Sequence, residues 1–200
     1  MEYENIGRKL KSSDYLKYAL LDLLKEKNIH TITVKELCDR AMISRSTFYA
    51  NYETLGIFID SISHEVAVGL VDAVTDGGKN KSAILKRGAA EKLYTNWFKH
   101  VRNNYHFYKM FLSPNGPVEF NDFLLSQGVE WYTQLLRPCM ARFEEMISID
   151  VLANYIVNAH MGLLKYYIES NMKYSPEYMA KQLYLLTFGG PFSVLKLFDE

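Results

Sequence analysis

The residues whose types and spacing could do chemistry lie between positions 33 and 52. Arg45, Ser46 and Thr47 directly follow Ser44, and Tyr49, Ala50 and Asn51 come about one helical turn later. A guanidinium, hydroxyls, a phenol and a carboxamide at the start of a helix are donors suited to phosphate oxygens and to base edges in a major groove. The helix dipole and the free N–H groups of that first turn favour an anion there as well. The reading is therefore recognition of a nucleic acid.

Two elements must position those donors. Thr33-Val34-Lys35-Glu36 reads as a capping box, a threonine and a glutamate three apart that satisfy each other's backbone donors, and it opens a helix through Ala41. Ser44 caps the next helix after a short turn at Met42 to Ser44. Leu37, Ala41, Ile43, Phe48 and Tyr52 fall inward and pack the two helices across the turn. That is a helix-turn-helix. An ordinary helical hairpin shares the spacing, but it does not need exposed Arg-Ser-Thr donors at a helix start.

Ahead of this pair, Leu16, Ala19, Leu20, Leu23 and Leu24 recur at helical spacing from Tyr15 to Lys27, with Ser12, Ser13 or Asp14 as the expected N-cap. Asn28 is expected to end that helix. Beyond Gly56, a pattern through Ile57, Ile62, Val66, Leu70 and Val74 predicts a long helix running to Asp76-Gly77-Gly78. Further helices are expected over 83–104, 105–112, 120–136 (stopped by Pro138), 150–171, and from Ser175-Pro176-Glu177 to Gly189-Gly190-Pro191. Strand alternation, repeats and low-complexity tracts are not seen. The fold class is all-α: a three-helix helix-turn-helix domain over 1–55, followed by a helical domain over 56–200.

The stretch Thr-Val-x-x-Leu-x-x-x-Ala-x-Ile-Ser-x-Ser-Thr-Phe-Tyr-x-x-Tyr from Thr33 to Tyr52, behind a first helix, resembles the signature of the TetR/AcrR family of transcriptional regulators. The likeness covers roughly residues 10 to 60. It implies a bacterial, ligand-responsive homodimer that binds a double-stranded DNA operator, a repressor released by a small apolar or aromatic effector. Position by position, it implies that Thr33 and Lys35 touch backbone phosphate and that Arg45, Ser46 and Thr47 face bases and phosphates. Tyr49 would donate to a phosphate, and Asn51 would occupy another contacting position. Two positions depart from the pattern: Met42 stands where the family usually has glycine, and Leu55 where it usually has lysine. With that lysine replaced, Arg8, Lys9 and Lys11 become candidates for an arm that reaches the neighbouring backbone or the minor groove.

The resemblance also implies an effector pocket in the second domain, which is rich in aromatic residues from Tyr94 to Tyr132. Trp97, Phe111, Trp131 and Tyr155 are the expected lining, with Asn158 and His160 as polar orienting groups. The two last helices resemble the family's dimerising bundle, where Ala159 and Gly162 would let a symmetry mate approach; an intrachain crossing at Gly162 is the alternative.

Composition sets the other bounds. Lys and Arg together number 23, as do Asp and Glu, so the net charge is zero, and residues 1–55 carry nine bases against eight acids. Binding to DNA must then rest on where the bases sit. Cys38 and Cys139, far apart in sequence, suit a reducing cytoplasmic compartment better than a disulfide framework. The apolar run Val151 to Ile168 is broken by Asn154, Asn158, His160 and Lys165, so neither a membrane span nor a signal peptide is expected. No pair among His30, His64, His100, His106 and His160 stands at i, i+4, and no nucleophile elbow or phosphate loop is present. No metal, cofactor or catalytic residue is therefore expected. A metal-sensing regulator, and a helical interaction protein with a vestigial helix-turn-helix, stay open as alternatives.

Overall fold

The computed structural model describes residues 11–75, 89–140 and 147–190. Among them are nine α-helices and one 3-10 turn, and no strand: α1 (Ser12–Leu23), the turn Ile29–Thr31, α2 (Val34–Ala41), α3 (Arg45–Tyr49), α4 (Leu55–Thr75), α5 (Ala89–Asn103), α6 (Tyr105–Phe111), α7 (Val118–Met140), α8 (Ile149–Glu169) and α9 (Pro176–Gly189). Arg8 and Lys9 of the expected arm, the glycines at 77 and 78, residues 83–88, the side chain of Cys139 and Pro191 lie outside the described residues. No described helix is long and apolar enough to cross a membrane.

Local chemistry explains most of the boundaries. Thr33 and Glu36 form the expected capping box at α2, Ser44 accepts from the Thr47 N–H at α3, and Ser175 accepts from the Tyr178 N–H with Pro176 at the first position of α9. Two boundaries differ from expectation. At α1 the N-cap is Lys11, whose backbone N–H donates to Asp14 Oδ2 at 2.8 Å, so Asp14 acts from inside the first turn. At α7 the helix runs past Pro138 to Met140. Proline at that position forfeits one ladder bond, the one that would reach back to residue 134.

Helices α1 to α3 wrap around Leu16, Leu20, Leu37 and Phe48, all buried, and this core continues without a break through Phe58 and Ile62 of α4 into the larger bundle. In the bundle, α5 packs on α9 and α4, and α7 packs on α8. Gly128 permits the second pairing, because a Cβ there would stand 2.9 Å from Val157 Cγ1. The corner between α6 and α7 is fastened to the first helices by three hydrogen bonds. The Ile29 N–H donates to the Asn115 carbonyl at 2.9 Å, Asn115 Nδ2 to the Leu24 carbonyl at 3.1 Å, and Asn28 Nδ2 to the Pro114 carbonyl at 3.2 Å. Gly116 must be glycine, since a Cβ would lie 2.4 Å from the Phe111 carbonyl oxygen.

Candidate DNA-reading face and ligand cavity

The near-neutral charge of the first helices conceals a division of labour among the bases. Arg40 pairs with Asp22 and, at 3.1 Å, with Glu26, clamping α2 to α1; its guanidinium holds the Asp22 carboxyl below its ordinary value. Lys27 pairs with Glu36, and this contact, together with the Thr33 hydroxyl and N–H, holds the Glu36 carboxyl at about 2. Lys17 stands 3.8 Å from Glu65 of α4 and over the Phe107 ring. Among the described residues, Lys35 and Arg45 are exposed with no carboxylate partner. The paired bases build the unit, which leaves Lys35 and Arg45, together with the exposed Lys11 ahead of α1, for an external anion.

On α3, Phe48 is fully buried, in edge contact with Phe58 and tilted against Tyr52. That anchor turns Arg45, Ser46, Thr47, Tyr49 and Asn51 outward, where all are exposed. Ser44 Oγ lies 2.8 Å from both Ser46 Oγ and Thr47 Oγ1, and Asn51 Nδ2 donates to the Thr47 carbonyl at 2.8 Å. The Asn51 carboxamide therefore closes the end of α3 as well as facing outward, a role that spacing did not suggest. Thr33, whose hydroxyl donates to Glu36, and Lys35 stand exposed at the start of α2. Met42 takes the left-handed conformation (φ 54°, ψ 39°) at 93% exposure, which explains why glycine suits this turn. Leu55 is half-buried and packs on the core at the start of α4, where the Thr54 hydroxyl accepts from the Ile57 N–H.

Between α4, α5, α7 and α8 lies a cavity of about 420 Å³, a size that suits a drug-sized molecule. Trp97, Trp131 and His160 are in its wall. Three other expected lining residues stand elsewhere. Phe111 is core, stacked on Phe107 at 4.0 Å and edge-on to Phe120. Tyr155 is 63% exposed, and Asn158 is exposed with its amide donating to the Asn154 carbonyl. The reason is angular: on a helix, residues 158 and 160 are about 200° apart, so when His160 faces inward Asn158 faces out.

His160 is the centre of a buried polar chain. Tyr94 and Tyr132 hydroxyls are 3.3 Å apart, Tyr132 OH is 3.3 Å from His160 Nδ1, and His160 Nε2 is 3.0 Å from Thr187 Oγ1. Burial lowers the imidazole to about 4 and raises both phenols, so the chain is neutral near pH 7. Thr187 carried no signal in the sequence, because only the packing of α9 brings it to His160. The indole N–H of Trp131 is buried without a partner among the described residues. Among those residues, no group of three His, Cys, Asp or Glu stands close enough to hold a metal ion.

The outward face of α8 carries Val151, Tyr155, Ala159, Gly162 and Tyr166, all exposed, and α9 adds Tyr178, Leu185, Leu186 and Phe188. No described atom lies within 4 Å of a Cβ placed on Gly162, so no helix crossing at that glycine is formed among the described residues.

Comparison with known proteins agrees with this architecture. The TetR profile described as transcriptional regulator C-terminal region matches residues 89–189. The chain is 23% identical over 180 residues to YxbF, an uncharacterized helix-turn-helix-type transcriptional regulator of Bacillus subtilis strain 168; the match covers 86% of the chain and 43% of that protein's length. Among solved structures, the fatty acid degradation regulator FadR of Bacillus halodurans superposes with a TM-score of 0.67 at 14% identity, over 92% of this chain and 98% of that one. The dihydroxyacetone kinase operon activator DhaS does so with a TM-score of 0.57 at 16% identity, over 96% and 100%. At such identities the likeness is one of fold. The profile match spans half the sequence, and the chain belongs to the TetR family of transcriptional regulators.

Proposed function

We propose that the protein is a homodimeric, operator-binding repressor whose α3 reads DNA and whose cavity holds the effector that releases it. The observation that carries this reading is α3 itself: one wholly buried ring, Phe48, beneath a face that presents Arg45, Ser46, Thr47 and Tyr49 to solvent. A helix start without a carboxylate partner for its arginine is suited to phosphate and to base edges. The apolar face of α8 and α9, open at Gly162, supports pairing with the same face of a second copy. A twofold dimer sets two recognition helices about 34–36 Å apart, one helical turn of DNA. An effector that shifts α4, which lines the cavity and follows directly after the reading helices, alters that separation and loses one half-site.

The test is fluorescence anisotropy with duplex DNA from upstream of the protein's own gene, at several salt concentrations. Binding is expected to weaken steeply with salt, and Arg45→Ala to cost about 1–3 kcal/mol while helix content and sedimentation stay unchanged. Salt-independent binding, or indifference to Arg45→Ala, removes the assignment of α3. A Gly162→Leu variant that sediments as a tight dimer moves the interface elsewhere.

A further inference from the structure

Helix α9 grips the bundle through Pro176, Met179, Ala180 and Leu183, buried residues spaced three and four apart along one stripe. One turn further on, the stripe arrives at Thr187, a hydroxyl where the pattern would place another apolar side chain, and the helix ends two residues later at Gly189. Thr187 Oγ1 lies 3.0 Å from His160 Nε2. Leu185, Leu186 and Phe188, all exposed, stand about 100° or 200° from Thr187 around the same turn. His160 is placed alike on α8: it is buried, and about 200° from the open Gly162. The contact between His160 and Thr187 therefore joins the two helices of the apolar face from behind it.

The other ring nitrogen leads to the cavity. His160 Nδ1 is 3.3 Å from the Tyr132 hydroxyl, which is 3.3 Å from that of Tyr94, and these three residues line the cavity. Burial, which lowers the imidazole to about 4, keeps it neutral near pH 7. A neutral imidazole has one N–H and one acceptor nitrogen, so its two contacts are not independent. Where Nδ1 accepts from Tyr132, Nε2 donates to Thr187, and reversing one reverses the other. We propose that this chain sets the pairing face from the cavity wall: Tyr132 and His160 hold the last turn of α9, and with it Leu186 and Phe188, in the position that a second copy meets. An occupant of the cavity that turns the Tyr132 hydroxyl or the His160 ring loosens that turn. A loose turn has to be ordered again on pairing, and that ordering is taken from the affinity of the dimer. The proposal rests on the reading of α8 and α9 as the face that pairs with a second copy.

The experiment follows subunit exchange in the full-length protein. Protomers carrying a donor or an acceptor dye at the amino terminus are mixed, unlabelled protein is added in excess, and the loss of energy transfer gives the rate at which the dimer parts. Thr187→Val keeps the shape and removes the hydroxyl; it is expected to speed exchange about tenfold, through one hydrogen bond lost from each protomer. Thr187→Ser keeps the hydroxyl and removes the methyl, and is expected to stay within about twofold of the unaltered protein. Tyr132→Phe, buried on α7, is expected to speed exchange by a factor of about three or more and to add nothing in the Thr187→Val background, as members of one chain do. Circular dichroism checks helix content, and if Thr187→Val does not fold, Tyr132→Phe decides. Exchange that Thr187→Ser speeds more than Thr187→Val marks a packing role and overturns the proposal, as does exchange unmoved by Tyr132→Phe or fully additive effects of the two. Gly162→Leu tests the face separately. No energy transfer in the unaltered protein, or exchange untouched by Gly162→Leu, overturns the pairing face and the proposal with it; exchange sensitive to Gly162→Leu but not to Thr187→Val overturns the proposal alone.

Discussion

The reading head and the bundle solve opposite problems with the same secondary structure. Helices α2 and α3 are eight and five residues long, too short to persist on propensity, and they are held by end chemistry: a capping box, a serine cap, a paired arginine and one buried ring. Helices α4, α7 and α8 run 21 to 23 residues and enclose a cavity of about 420 Å³. The head fixes the position of a few outward donors, so each cap and charge pair matters. Long helices that grip one another away from the cavity can leave room inside. Rigidity is local in the head and distributed in the bundle.

The strongest way to break this contrast is at Phe48. Removing the one ring under α3 is expected to destabilise the protein by about 3–5 kcal/mol, read by urea denaturation with far-ultraviolet circular dichroism, and to abolish DNA binding even where the bundle stays folded. A loss under 1 kcal/mol would mean that α3 is held by something other than its anchor.

Acid sharpens the comparison, since each region has its own window. Folding lowers the His160 imidazole from 6.5 to about 4, so the stability that depends on its being neutral is complete above pH 6.5 and is lost as pH falls towards 4. At nearly full burial this amounts to about 3 kcal/mol. In the head, Glu36 is lowered from 4.5 to about 2, so its contribution is present above pH 4.5 and lost on the way down to 2. Denaturant melts in pH steps should show His160→Gln flattening only the upper window and Glu36→Gln only the lower. A single shared window would show that the two regions titrate as one.

Smaller effects follow at the caps. Ser44→Ala is expected to cost about 1 kcal/mol of stability through the lost bond to the Thr47 N–H, and to weaken operator binding beyond that by loosening the start of α3. The smallest effect is at Met42, where glycine relieves a left-handed backbone and is expected to raise stability by up to about 1 kcal/mol in thermal melts. A drop instead would mean that the methionine side chain contributes more than its 93% exposure suggests.

Legibility divides along the same line. The head was readable because its determinants are local: Thr33 and Glu36 are three apart, Ser44 and Thr47 three apart, and Phe48 sits one turn from Tyr52. Its long-range ties were concealed: Arg40 engages Asp22 and Glu26 across 18 and 14 residues and Lys27 engages Glu36 across nine, which needs the helices in place. Helix positions in the bundle were also readable from apolar periodicity. The cavity wall was only partly so, because it takes residues from four helices whose rotations the sequence does not state. Aromatic content could not separate Trp97, in the wall, from Phe111, in the core, and helical phase sets Tyr155 and Asn158 opposite His160. Thr187 meets His160 across 27 residues.

The fastening of Pro114 and Asn115 to residues 24–29 bears on how this protein could be re-engineered. A designer wanting a new operator specificity would cut at position 55, where the reading helices end, and graft another head. Such a cut leaves the α6–α7 corner facing a stranger: Asn115 would offer its amide and carbonyl to a backbone in another register, and Gly116 leaves no side chain to adjust. The exchangeable module is therefore discontinuous. A chimera that carries residues 113–116 along with the head keeps its joint, and one that does not inherits a sensor and a reader with no agreed point of contact.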